Sequence, residues 1–213
     1  IRYLYINRDV LVIRYTRQED PTLNNTIFGF VDADWSSGYS RGGYIFMMNG
    51  GPIDWVSRLF RCTAQSSTEA EYMALCDCVN QGHYLLHLQR EIVRKDKAIT
   101  IYEDNTGAIA LSENPLNFRK TRHINYRYHV VRDKVQSGQF DVQYVKSAIN
   151  LADIMTKVLN WEIFNRLAKS IYGVDTADMK SSMSSIIEDS QPVRFYETYE
   201  ELQRRRQVLF PFA

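Results

Sequence analysis

The stretch SSTEAEYMAL, residues 66–75, is where the chain turns from strands to a helix. Ser66 and Glu69 have the spacing of a capping box, in which serine and glutamate satisfy free amides of the first helical turn. An apolar stripe then runs through Leu75, Cys78 and Leu85 at helical steps. Four residues before Leu75, on that same inward stripe, stands Glu71. One acid near a helix start is explained by the helix dipole. A second, on the face that should meet the core, raises the question of what it is for.

Upstream, TIFGFVDADW (26–35) reads as a strand with Phe28, Phe30 and Asp32 on one face. GGYIFMMNGGPIDWVS (42–57) reads as two more strands around a turn at Asn49-Gly50-Gly51. These three strands form a meander. Downstream, KAITIYED (97–104) is a short strand with Thr100, Tyr102 and Asp104 on one face and Asp104 at its end. Asn105 is placed to cap a short helix that stops by Pro115. A basic helix over 121–136 ends at Gly138, and FDVQYV (140–145) alternates as a strand. Asn150 and Asp153 open a last helix through about Leu167. The order βββ, α, β, α, α, β, α predicts an α/β domain built on a mixed sheet with helices on its faces.

The gross composition narrows the function classes. The 213 residues suffice for one domain with a core and an appendage. A net charge of +1 gives no bulk attraction to nucleic acid, so any such partner must be held by a local patch. Cys62, Cys76 and Cys78 suggest neither a disulfide framework nor a zinc site; small apolar residues in a reducing compartment is the simpler reading. No run approaches the length of a transmembrane helix, and no membrane partner is expected. The chain starts at Ile1 without a signal peptide, as a piece of something longer would. Residues 1–25 read as the end of a preceding module plus a linker, 26–173 as the domain, and 174–213 as a tail. Within the tail, 174–192 is serine-rich and expected to be flexible, and YETYEELQRRRQVLF has the composition of a short helix.

Four acids stand at the ends of elements: Asp32, Glu71, Asp104 and Asp153. Each has a local explanation. Asp32 and Asp104 can mark strand ends, Glu71 can serve the helix dipole, and Asp153 can be the acidic half of a cap with Asn150. Asp34 reads as a solvated neighbour or a local turn acceptor. Taken together, they read as a site. Carboxylates brought close repel one another unless a cation sits between them, and a hard divalent ion prefers oxygen ligands.

The arrangement FVDADW, DWVS, SSTEAEYMAL, IYEDNTGAI, TRHINYRYHVVRD and LADIMTK, in this order over roughly 26–170, resembles the ribonuclease H domain of copia-type LTR retrotransposon polyproteins. IRYLYINRDVLVIRY resembles the connection that follows the reverse transcriptase there. The resemblance implies a ribonuclease H-like fold, a five-stranded mixed sheet in the order 3-2-1-4-5. It implies that Asp32, Glu71, Asp104 and Asp153 are catalytic and metal-binding. Asp32 would hold two magnesium ions, with manganese able to substitute; Glu71 and Asp104 would complete one position and Asp153 the other. The implied activity is hydrolysis of the RNA strand of an RNA–DNA hybrid, leaving 5′-phosphate and 3′-hydroxyl ends. The implied partners are the hybrid and the reverse transcriptase domain of the same polyprotein, in cytoplasmic virus-like particles. On this reading Glu71 serves the metal and Glu69 the cap.

The segment after DWVS departs from the family pattern: RLFRCTAQ puts Leu59 and Phe60 near an expected surface. The run VKSAINLAD lacks the histidine that cellular ribonucleases H carry before the last carboxylate. Arg119, Lys120, Arg122, Arg127 and Arg132 form a patch suited to sequence-independent phosphate contact, or a solvated helix face. Trp35, Trp55 and Trp161 read as packing residues, and His123 and His129 do not make a convincing metal pair. Two other functions compete: a degenerate, non-catalytic module acting as a nucleic-acid clamp or tether, and an integrase-type nuclease. The acid order Asp, Glu, Asp, Asp speaks against the latter, and no YxDD polymerase motif is present.

Overall fold

Strand β1 (Phe28–Asp34) lies at the centre of the five-stranded sheet. Its neighbours are β2 (Arg41–Met48), antiparallel, and β4 (Ile99–Glu103), parallel. β3 (Gly51–Leu59) closes one edge antiparallel to β2, and β5 (Phe140–Tyr144) closes the other parallel to β4. The order is 3-2-1-4-5, as expected. The computed structural model describes residues 12–17, 24–35, 39–94, 96–113 and 125–172, with the side chains of 125–128 excepted. All of these fall within one unit, Arg8–Asp175. The expectations for the tail, 174–213, lie outside the described residues.

The meander forms because Asn49 and Gly50 both take positive φ, 53° and 80°. This is what a two-residue hairpin turn needs to match strand twist. Residues 12–17 carry no regular structure. They lie against this hairpin instead: the Thr16 amide donates to the Asn49 carbonyl at 2.8 Å and the Tyr15 hydroxyl to the Pro52 carbonyl at 2.7 Å.

The two faces of the sheet carry separate cores. Helix α1 (Ser67–Leu88) covers the face with Ile27, Val31, Ala33, Phe46, Ile99 and Ile101. Its buried residues include Leu75, Cys78 and Leu85, the predicted stripe. Ser66 caps it by accepting from the Glu69 amide at 3.1 Å; Glu69 in turn accepts from the Gln65 amide at 2.8 Å, one residue before the expected partner. The helix runs on through a wider turn, Gln89–Val93, where buried Gln89 accepts from the Ile27 amide and donates to the Lys97 carbonyl. Helix α2 (Thr106–Glu113) is capped by Asn105, whose side chain accepts from the Ala108 amide at 3.0 Å, as predicted. Helix α3 (Asn125–Gln136) ends at Gly138, φ 69°.

The second face carries Phe28, Phe30, Ile45 and Met47 under the C-terminal segment. Here the expected single last helix is two: α4 (Asp153–Thr156) and α5 (Trp161–Tyr172). Lys157 turns extended between them, and Asn160 restarts the helix by accepting from the Ile163 amide at 2.9 Å. Asn150 does not cap with Asp153. It is fully buried and ties α4 to the central strand, donating from Nδ2 to the Val31 carbonyl at 2.9 Å and accepting from the Ala152 amide at 3.1 Å.

One reading of the departing segment is also corrected. Phe60 is buried, its ring filling the space over Gly42, while Leu59 is exposed. Cys62 is exposed, unlike Cys76 and Cys78, because it follows the end of the edge strand.

Candidate active site

Strand parity puts Asp32 on the face of Phe28 and Phe30, and Asp104 on the face of Tyr102. Phe30 and Tyr102 meet there, ring centroids 5.1 Å apart. The parallel pairing of β1 with β4 brings the C-terminal ends of the two strands side by side, so both aspartates emerge at the same edge. Glu71, in the second turn of α1, reaches this edge from the other face. One carboxylate oxygen from each of Asp32, Glu71 and Asp104 lies within 4.8 Å of the other two. Asp32 is fully buried and Glu71 nearly so.

This triad suits a divalent cation. Oxygen donors match a hard ion. Glu71 Oε2 is buried and has no hydrogen-bond partner, an arrangement that is costly unless a positive charge completes it. Burial pushes the Glu71 carboxyl well above the usual carboxylate range, and the charges of Glu103, Asp32 and Asp104 push it further. The domain therefore has an acidic triad able to coordinate one divalent metal ion.

Asp153 stands outside that triad and meets Asp32 through Lys157. The Lys157 ammonium donates to Asp32 Oδ1 at 2.8 Å and to Asp153 Oδ1 at 3.0 Å. The Thr156 hydroxyl donates to Asp32 Oδ2. Burial alone would make Lys157 easier to deprotonate, but its bonds to Asp32 and Asp153 outweigh this and hold it charged. Burial and the Asp32 charge push the Asp153 carboxyl up, with Lys157 opposing.

The close approach of α4 to the sheet depends on Gly43, the residue paired with Asp32 across β1 and β2. A Cβ at Gly43 would lie 2.5 Å from Met155 Cβ and 3.1 Å from Thr156 Cγ2. The missing side chain is what lets Thr156 and Lys157 sit over Asp32.

Sequence reasoning missed Lys157, Thr156 and Glu103. Glu103 is fully buried on the apolar parity of Ile99 and Ile101, with Oε1 accepting from the Asn105 amide at 2.9 Å. Burial raises its carboxyl, and the Asn105 amide opposes this. The signals were present: an acid at an inward strand position, and a lysine four residues after Asp153 at helical spacing.

The nucleic-acid candidates fare differently. Arg119, Lys120 and Arg122 lie outside the described residues, as does the side chain of Arg127. Arg132 is buried, and so is not displayed for phosphate contact. Among the described residues, no helix is long and apolar enough to cross a membrane.

No protein-family model matches the chain. It is 35% identical over 159 residues to the retrovirus-related Pol polyprotein from transposon TNT 1-94 of Nicotiana tabacum, covering 73% of this chain and 12% of that protein. It is 34% identical over 151 residues to the Pol polyprotein from transposon RE1 of Arabidopsis thaliana, covering 68% of this chain and 10% of that one. This is a ribonuclease H-like domain homologous to copia/Ty1-type LTR-retrotransposon Pol polyproteins. The domain thus spans about a tenth of the length of the polyproteins it matches. Among solved structures, LC11-RNase H1, isolated from compost, is similar at 16% identity and a TM-score of 0.48, over 62% of this chain and 93% of that one.

Proposed function

We propose that the domain hydrolyses the RNA strand of RNA–DNA hybrids in a magnesium-dependent reaction, as part of retrotransposon reverse transcription. The observation that carries this is the convergence of Asp32, Glu71 and Asp104, from two strands and a helix, within 4.8 Å of one another. Asp32, Glu71 and Asp104 would hold one ion, and Asp32 with Asp153 a second; manganese would substitute. When bound, such ions activate the attacking water and stabilise the leaving oxygen of a phosphodiester. The chain's own residues supply the geometry. Thr156 fixes Asp32, Asn150 fastens α4 to β1, and Asn105 orders the turn that carries Asp104. Arg119, Lys120, Arg122 and Arg127 would hold phosphates, and the reverse transcriptase domain of the same polyprotein would be the covalent neighbour, in cytoplasmic virus-like particles.

The test is cleavage of a labelled RNA–DNA hybrid with and without magnesium. The parent chain should cleave the RNA strand. Asp32→Asn should keep the thermal transition and lose cleavage, since asparagine matches the shape of aspartate but lacks its charge. Cleavage by folded Asp32→Asn at the parent's rate would overturn the assignment. A folded parent that binds hybrid without cutting it under any divalent ion would favour the non-catalytic clamp.

A further inference from the structure

The position between Asp32 and Asp153 already contains a cation. Lys157 Nζ bridges one carboxylate oxygen from each, at 2.8 and 3.0 Å. The contact is sheltered: the Asp32 side chain is fully buried and that of Lys157 is 34% exposed. The triad of Asp32, Glu71 and Asp104 differs, because Glu71 Oε2 there has no partner. The two halves of the site are therefore unequal: one holds a buried carboxylate oxygen of Glu71 with no hydrogen-bond partner, and the other is filled by a side chain on the extended turn between α4 and α5.

We propose that Lys157 is a tethered cation that holds the Asp32–Asp153 position in the free protein, so that one divalent ion binds before the hybrid. The second enters when a substrate phosphate draws the ammonium away. This rests on the metal-dependent reading above and deepens it. A divalent ion entering the second position must displace a charge that is covalently attached and always present, and magnesium gives up its own water reluctantly. A phosphate is the group able to compete for the ammonium, through charge-assisted hydrogen bonds of the kind it already makes. The device would keep the site from being fully loaded until the hybrid is in place.

The experiment is manganese titration of the chain without nucleic acid, by calorimetry and by electron paramagnetic resonance counting of bound ions. The parent should bind one ion. Lys157→Met and Lys157→Gln should bind two, the second at least tenfold more tightly than any second ion in the parent. Lys157→Arg, which keeps the charge, should bind one. Adding Asp153→Asn to Lys157→Met should remove the second ion and leave the first. Two ions of equal affinity in parent and Lys157→Met would overturn the proposal, as would one ion in every folded Lys157 variant. No ion in either protein would overturn the metal-dependent reading as well, so the two failures are distinguishable. The thermal transition of each variant shows that it is folded, and the glutamine variant covers misfolding of the methionine one.

Discussion

Replacing Glu71 by glutamine should stabilise the metal-free protein at neutral pH while abolishing its response to magnesium. Glu71 is 7% exposed, and its carboxyl is raised above its ordinary 4.5 by burial first and then by Glu103, Asp32 and Asp104. The folded chain therefore holds a proton that the unfolded chain releases at neutral pH. The stabilising effect is full below the unfolded pKa and is lost as pH climbs towards the folded one. Between pH 4.5 and 7 the loss is about 3 kcal/mol, at about 1.4 kcal/mol per pH unit. The alternative of staying ionised is no easier: two like charges 4.8 Å apart repel by about 3.5 kcal/mol at an effective dielectric of about 20. Glutamine does not titrate, but its buried amide still needs partners. We expect a net gain of about 2 kcal/mol at pH 7, or roughly 4–8 °C in Tm, falling to zero at about pH 5.5 and reversing below it. The assay is thermal unfolding by circular dichroism across pH 4.5–8, first with chelator and then with magnesium. Magnesium should raise the Tm of the parent and leave that of Glu71→Gln unmoved. Glu69→Gln should behave as the parent, because glutamine can still accept from the Gln65 amide. Equal destabilisation of Glu71→Gln at every pH, or a full magnesium response, would refute the reasoning.

Asn150→Ala should cost about 2–3 kcal/mol in urea unfolding, since it strips the buried partners of the Val31 carbonyl and the Ala152 amide. Gly43→Ala should cost about 1–3 kcal/mol by forcing α4 away from β2, and should weaken manganese binding in calorimetry. A variant that keeps parental stability and affinity would show that α4 relaxes freely.

The sequence alone determined much of this domain. Alternation marked the strands, Asn49-Gly50 the hairpin, Ser66 and Asn105 the helix starts, and Gly138 a helix end, because these are local preferences of backbone and side chain. It also marked the four acids as a set, with the family resemblance giving them roles. Other features were settled only in three dimensions. Phe60 was placed near a surface by its neighbours in sequence, yet Gly42 opens a slot for its ring. Asn150 and Asp153 have the spacing of a cap, yet Asn150 is taken by the Val31 carbonyl, a residue more than a hundred positions away. Glu103 was not singled out in the sequence; strand parity turns it and Asp104 to opposite faces and buries Glu103 completely. Lys157 was not singled out in the sequence either. Its partners are Asp32 on β1 and Asp153 on α4, and the bridge exists only because Gly43 lets those elements touch. Local pattern carries information over a few residues; the charge a group feels is set by whatever the fold brings within a few ångströms of it.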